Sequence, residues 1–461
     1  MKTVPIGSGS MAWGDVLEPS VDMAKRANVK YICFDWLAEV TMSILYTLKL
    51  KNPKGGYPSE LPEWMRTLLP IAREKGIKII TNGGGANPEE AAEAVYRVAT
   101  EAGLSGLKIA TVLGDSITER LDELRKKGIK FTNMDTEEED IDSIKDRITG
   151  AYVYTGAEGI MEALKQGADV VIGGRISDNS MYVGPWMYEF GWDYRESYWN
   201  KIGAAVTCAH IIECSGACTG IIMCSLWEEV PDPWNIGYPI VEMDENGDAV
   251  VTKTPDTGGL VNTWTIKEHL VYESRDPQNY IMPDGIADFT TLHLEDIGKD
   301  RVKVTNMSGK PRPDKLKVGI GYLDGWKQEL QHWFCWPDAL KKAKHAEFIM
   351  REWLNRWNVK PERLHVDYMG FNMAHGGLVR VPDPEEVPDL PEVGLRICAK
   401  FKTREEALYF RNHHSYWDAP PPGYVFNTTN APARPSRVIA LWPTLVPREE
   451  VPTKVMIREV K

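Results

Sequence analysis

The sequence predicts an α/β protein: a doubly wound, mainly parallel sheet with a second α+β domain. Three observations predict it. Short apolar runs of strand length alternate with helix-length segments through the first 200 residues. Glycine-rich turns stand where strands hand over to helices. Beyond residue 200 that alternation gives way to polar–apolar strands, a hairpin and Pro-rich pieces.

In chain order, residues 31–35 (Tyr-Ile-Cys-Phe-Asp) read as a buried strand and 37–50 as the helix after it. Residues 78–82 form the next strand. It leads through Gly83, Gly84 and Gly85 to Asn87 as a helix cap, with Pro88 at the first helical position and Glu90 at capping-box spacing. That helix stops at Gly103. Residues 107–113 are a third strand ending at Gly114 and Asp115; 155–166 are helical; 168–172 are a buried strand running into Gly173, Gly174 and Arg175, with Asp178 opening a helix. This Rossmann-like order covers residues 1–200. From 201 to 461 the sequence predicts an α+β domain with a Pro-rich C-terminal arm. Residues 202–213 are helical and 216–223 form a glycine-punctuated apolar segment. Strands follow at 238–242, 249–253 and 287–294, with an Asn-Gly turn within 243–248. Residues 341–357 make an amphipathic helix and 395–402 a strand, while 381–393 and 419–435 are Pro-rich loops or interface arms.

Composition narrows the class. Hydrophobic content of 43% and charged content of 26% suit a globular protein. A net charge of −12 without a long Lys/Arg run argues against a nucleic-acid partner. The run from Thr136 to Asp140 reads as a solvated acidic segment. With no signal-like or membrane-spanning apolar run, and an odd seven cysteines, the expectation is a cytoplasmic protein with no membrane association and no disulfide framework. The 16 tryptophans suit cores, pocket walls or a subunit interface, and a homo-oligomer is expected.

Candidate chemistry concentrates in loops. Gly7, Ser8 and Gly9 open a stretch whose amides can cradle an anion at a helix N-terminus. Its glycine spacing fits neither a dinucleotide fingerprint nor a P-loop, so no NAD, FAD or ATP motif is present. Asn82 with Gly83, Gly84 and Gly85 is a second anion candidate. Gly173, Gly174 and Arg175 are a third, the arginine offering a bidentate grip on a carboxylate or phosphate. Thr257, Gly258 and Gly259 follow Lys253 as a further run of donors, and Thr219 and Gly220 close the 216–223 segment. Asp35, Glu39, Asp284, Asp288 and Asp324 are additional acids near strand ends. His210 and Glu213 share a helical face three residues apart. That spacing suits a general acid–base pair, a divalent-metal site, or a structural pair. Cys208, Cys214, Cys218 and Cys224 match no common zinc or iron–sulphur spacing and read as small core residues, with a nucleophilic Cys214 as the lesser alternative.

Several ordered motifs resemble the AtuA-like family, the acyclic terpene utilisation proteins. They are I-G-S-G (6–9), T-N-G-G-G-A-N-P (81–88), A-D-V-V-I-G-G-R-I-S-D (168–178), E-F-G-W (189–192), H-I-I-E-C-S-G-A-C-T-G (210–220), T-P-D-T-G-G-L-V (254–261), D-P-Q-N-Y (276–280) and P-D-G-I-A-D-F (283–289). The resemblance covers most of residues 4–380 and departs at Ile221, where relatives commonly carry a second glycine after Gly220. It implies a substrate bearing a carboxylate or a thioester, because the family takes its name from gene clusters that degrade acyclic terpenes through branched acyl-CoA intermediates. It also implies a separate small second subunit.

The expectation drawn from these readings is a lyase, a hydratase or dehydratase acting on a hydroxy-carboxylate or its acyl-CoA thioester. Arg175 and the amides of Gly83, Gly84 and Gly85 hold the carboxylate or thioester oxygen and stabilise enolate-like charge. His210 or Glu213 takes the α-proton, and Asp178 or a divalent metal assists departure of hydroxide as water. The alternatives are a non-catalytic acyl-CoA- or carboxylate-binding subunit of a catabolic complex, and a thioesterase or CoA-transferase using Cys214 or a carboxylate.

Overall fold

Alternation at period two decides the central sheet. Ile32, Phe34, Ile79, Ile109, Val170 and Ile172 enter one buried cluster, whereas Tyr31, Cys33, Ile80, Ala110, Val112 and Val171 enter another. Strands buried on both faces read as continuous apolar runs, which is what made them legible. In the computed structural model, which describes residues 2–139, 141–222, 225–413, 425–426 and 433–461, five strands lie parallel. Their spatial order is Thr3–Ser10, Tyr31–Phe34, Lys78–Thr81, Val170–Gly173, Lys108–Leu113.

The helices Glu18–Arg26, Thr41–Lys51, Leu61–Lys75 and Pro88–Glu101 bury residues in the first cluster; Glu158–Lys165, Ser180–Phe190 and Trp199–Glu213 bury theirs in the second. The strand order explains the split. It advances along the sheet as far as Lys108–Leu113 and then steps back to Val170–Gly173, and a right-handed crossover changes face when its direction reverses.

The sheet is mixed rather than mainly parallel. Pro239–Asp244 pairs antiparallel with Thr3–Ser10, and Ala249–Lys253, Arg301–Thr305 and His293–Gly298 continue outward as antiparallel strands. At the other edge Lys454–Glu459 runs antiparallel to Lys108–Leu113, completing ten strands. These antiparallel strands between 239 and 305 thus extend the central sheet, while others beyond residue 200 build separate smaller sheets. The chain divides into two compact units, 1–322 with 441–461, and 323–440. The boundary expected near residue 200 lies inside the first unit, because the helix Trp199–Glu213 is buried almost throughout against that sheet.

The second unit has its own core. Residues 326–335 pair with Glu392–Phe401, which pairs in turn with Arg363–Met369; the helices Ala339–Trp357 and Arg404–Asn412 cover one face through Leu340, Ala343, Met350, Ala407 and Phe410.

Several local expectations change. Asn87 precedes its helix without capping it; its Nδ2 donates to the carbonyls of Pro53 (2.9 Å) and Gly55 (2.8 Å), tying down the preceding loop. The strand expected at 287–294 divides into Ile286–Asp288 and His293–Gly298, and the segment after Glu213 begins as a 3-10 helix, Ser215–Thr219. The Pro-rich stretch 419–435 lies largely outside the described residues, as does Cys224.

Candidate functional site

Polar residues collect where the parallel strands end. Asp35 follows Tyr31–Phe34, Asn82 follows Lys78–Thr81, Asp115 follows Lys108–Leu113 and Arg175 follows Val170–Gly173. All four are buried. Asn82 Nδ2 donates to Asp35 Oδ1 at 2.8 Å, and the backbone N–H of Leu37 donates to the same oxygen at 2.9 Å. Arg175 is the centre of the group, 1% exposed. Its Nη1 donates to the Leu37 carbonyl at 2.7 Å and sits 2.9 Å from Asp178 Oδ1, its Nη2 donates to Asp178 Oδ2 at 3.1 Å, and its guanidinium lies 4.3 Å from the Tyr154 ring centroid. Its buried Nε has no hydrogen-bond partner among the described residues. Burial and the nearby Asp178 charge raise the Asp35 carboxyl well above the usual range, against the opposing pull of Arg175.

His210 and Glu213 join this group. His210 Nδ1 lies 3.0 Å from Glu213 Oε1, and Asp178 and Arg175 both act electrostatically on Glu213. Ser8 Oγ accepts from the Tyr182 hydroxyl at 2.9 Å and donates to the Glu213 carbonyl at 3.5 Å. Burial lowers the His210 imidazole to about 4. Burial together with Asp178 and Glu273 raises Glu213 well above a normal carboxyl. Both directions favour an uncharged pair, as expected where two ionisable groups are taken out of water without a dedicated counter-ion. Glu213 Oε2 and His210 Nε2 are buried without partners. The proposed acid–base residues His210, Glu213, Arg175 and Asp178 therefore stand in one cluster, with Ser8 and Asn82 beside them. Asp178 is its most open member, its side chain 31% exposed.

The glycine-rich loops serve differently from expectation. Gly83 donates its N–H to Thr81 Oγ1 (2.9 Å), Gly84 to the Gly173 carbonyl (2.9 Å) and Gly85 to the Asn82 carbonyl (3.0 Å). The amide cradle expected there is closed, because all three donors are engaged by the protein. A Cβ at Gly84 would collide with the Gly173 carbonyl oxygen, so glycine at this position lets two strand-end loops touch. Gly84→Ala is expected to lower stability by about 1–3 kcal/mol through that overlap, read as a lower urea midpoint. An unchanged midpoint would mean the loops are not in contact.

Gly7 and Gly9 lie within Thr3–Ser10 rather than in a loop, where Cβ atoms would strike Met23 and Phe34. Gly173 and Gly174 make room for Ile176 and for the Asp115 carboxylate. Thr257, Gly258 and Gly259 line a cleft of about 380 Å³ with Asp232, Asp296 and Asp300. Behind it, Gly259 packs on the Thr219 carbonyl, and Gly220 (φ +124°) packs on Val230. Gly258 and Gly259 donate to the Asn235 and Pro231 carbonyls, and Lys253 Nζ donates to the Thr257 carbonyl at 2.7 Å. These donors too are held inside the protein.

Asp115 accepts the Arg175 backbone N–H at 2.8 Å and is pushed up to about 6 by burial. A carboxyl raised on folding stabilises the protein below its unfolded value, near 4, and that stabilisation is lost as pH rises through 6. Asp115→Asn is expected to flatten this part of the stability–pH curve, a change on the order of 3 kcal/mol between pH 4 and 7. Urea titrations at several pH values check it, and parallel curves for the two proteins would refute it.

Among the residues that sequence reasoning left out, Tyr280, His269 and Phe289 pack their rings 4.6, 5.4 and 5.2 Å from that of His210. They lie 59 or more positions downstream of His210, with no local spacing to announce them. Cys214 is surrounded by Glu213, Asp35, Asp178 and Glu273, and burial with these acids raises its thiol far above the ordinary value. Asp284 is fully buried as a structural acceptor for the Ala157 N–H, Ser180 and Tyr194. Among the described residues no three His, Cys, Asp or Glu side chains are grouped as a metal site, and no helix is long and apolar enough to cross a membrane.

The fold is that of an α/β protein with a large mixed sheet, and it buries a candidate cluster of carboxylates, arginine and histidine. The chain belongs to the family described as acyclic terpene utilisation family protein AtuA, matching it over residues 4–457. No curated protein and no solved structure matches the chain.

Proposed function

We propose that this protein is a hydro-lyase that reversibly hydrates or dehydrates a small hydroxy-carboxylate or its acyl-CoA thioester. The observation that carries the reading is the Arg175–Asp178–Glu213–His210 cluster, whose Arg175 Nε and Glu213 Oε2 are buried without protein partners. Reading the sheet as doubly wound places this cluster in the crevice beyond the strand ends, where open α/β sheets bind ligands.

The residues divide the work by charge. Arg175 offers Nε–H to the carboxylate or thioester oxygen and stabilises the negative charge that builds there as the α-proton leaves. Asp178, the more exposed carboxylate, accepts that proton. Glu213, kept protonated by burial, gives its proton to the departing hydroxyl, which leaves as water; hydration runs the same steps backwards. The raised Cys214 thiol favours this chemistry over a thiolate nucleophile. The family's description, which refers to acyclic terpenes, supports a branched carboxylate or thioester as substrate.

The test is solvent deuterium incorporation at the substrate α-carbon, followed by NMR with short hydroxy-acids and their CoA thioesters. Incorporation by the wild-type protein that Asp178→Asn loses, together with loss of dehydration in Glu213→Gln, supports the assignment. Ligand binding without any incorporation would instead favour a non-catalytic binding subunit.

A further inference from the structure

His210 is held from several directions. Glu213 faces it from its own helix, Tyr280 from the short strand Tyr280–Ile281, Phe289 from just after the strand Ile286–Asp288, and His269 from the helix Thr263–Val271; Glu273 acts on it electrostatically. The Phe289 ring stacks nearly parallel to the imidazole, at 10°. His269 Nε2 lies 2.9 Å from the His210 carbonyl and donates to it, giving a partner to one of the last-turn carbonyls of Trp199–Glu213. Tyr280 reaches the ring itself, its hydroxyl 3.1 Å from Nδ1. That loop is braced from below: Asn279 Nδ2 donates to Asp276 Oδ2 at 2.8 Å, and Lys310 Nζ donates to Asn279 Oδ1 at 2.6 Å.

We propose that Tyr280 is a positioning residue that holds His210 as the Nε2–H tautomer, so that the imidazole faces the substrate as a neutral hydrogen-bond donor while Glu213 keeps the transferable proton. The argument is one of hydrogen-bond satisfaction. Nδ1 has two oxygens within reach, Tyr280 and Glu213, whereas Nε2 is buried and has none. Were the ring proton on Nδ1, the Tyr280 hydroxyl would lose its nitrogen acceptor and Nε2 would be a buried, empty lone pair. Two polar groups would then go unsatisfied. With the proton on Nε2, the single Nδ1 lone pair accepts from the Tyr280 hydroxyl, and Glu213 carries its own proton on Oε2. The histidine and tyrosine then leave over only the Nε2–H donor, available to a ligand. Tyr280 is partly buried with acids around it, and this desolvation and charge hold its own proton in place for donation. The tautomer follows from the protein alone; its catalytic meaning rests on the hydro-lyase reading.

The experiment is long-range ¹H–¹⁵N correlation NMR on the full chain with ¹⁵N-labelled histidine, the His210 signals being identified by their loss in His210→Gln. The expected spectrum has a pyridine-like Nδ1 and a pyrrole-like Nε2. In Tyr280→Phe, which keeps the ring against His210 and Phe289, the two nitrogen shifts are expected to move toward each other as the tautomers mix. The kcat of that variant is expected to fall about tenfold with KM nearly unchanged, the worth of one hydrogen bond. A pyrrole-like Nδ1 in the wild-type protein overturns the inference, and so does a Tyr280→Phe spectrum identical to wild type. The wild-type spectrum decides even where the variant folds poorly. Should the expected shifts appear while no hydroxy-acid or thioester is turned over, the tautomer assignment stands and the hydro-lyase reading falls.

Discussion

Arg175→Met is expected to abolish turnover and to lower the unfolding free energy by about 3–5 kcal/mol, the usual cost of removing one partner from a buried ion pair. Methionine fills much of the space but makes none of the polar contacts. The Leu37 carbonyl loses its 2.7 Å donor, Asp178 loses both guanidinium nitrogens, and Tyr154 loses the cation stacked on its face. Asp35 also loses the Arg175 charge that lowers its proton affinity, so its carboxyl is pushed further up. Arg175→Lys should recover part of the stability and little of the turnover, because an ammonium cannot reproduce the planar fork that serves Leu37 and Asp178 together. Urea denaturation and the deuterium-incorporation assay read the two effects separately. A methionine variant as stable as wild type, and still active, would show that this arginine neither braces the strand ends nor binds substrate.

Glu213→Gln is expected to reduce turnover by about 10²–10⁴-fold while leaving the fold intact, the range typical for loss of a general acid. The stability prediction has a definite sign. Folding raises the Glu213 carboxyl well above its free value, so its contribution to stability is full at low pH and is lost as pH rises through the folded value. Glutamine cannot ionise. The variant should therefore match wild type in acid and become the more stable of the two at alkaline pH. Where wild-type turnover declines because Glu213 ionises, the residual activity of the variant should show no matching alkaline limb. Full turnover in the glutamine variant would remove Glu213 from the mechanism and leave it as a structural partner of His210.

The glycine-rich motifs illustrate how a correct local observation can carry a different meaning in three dimensions. Three consecutive glycines after a strand do mark close approach, but the approaching group is the Gly173 carbonyl at the end of the neighbouring strand. Gly7 and Gly9 likewise accommodate Met23 and Phe34. A sequence shows that backbone must come close to something there. It does not show whether that something is a ligand or another part of the chain.

By itself the sequence determined the α/β class, the buried strands read at 31–35, 78–82, 107–113 and 168–172, which the structure has within two residues at each end, and the juxtaposition of His210 with Glu213. Each of these depends on residues near one another along the chain: apolar runs of strand length, and a three-residue step around a helix. Only the tertiary structure decided the rest. The antiparallel strands from 239 to 305 join the parallel core, which makes the sheet mixed; Asp35, Asn82, Asp115 and Arg175 meet only because their strands are neighbours in it. Tyr280 reaches His210 across 70 residues. The physical reason is common to all three. Strand pairing and the burial of polar side chains are settled by contacts between distant segments, and no periodicity within a segment records its partner.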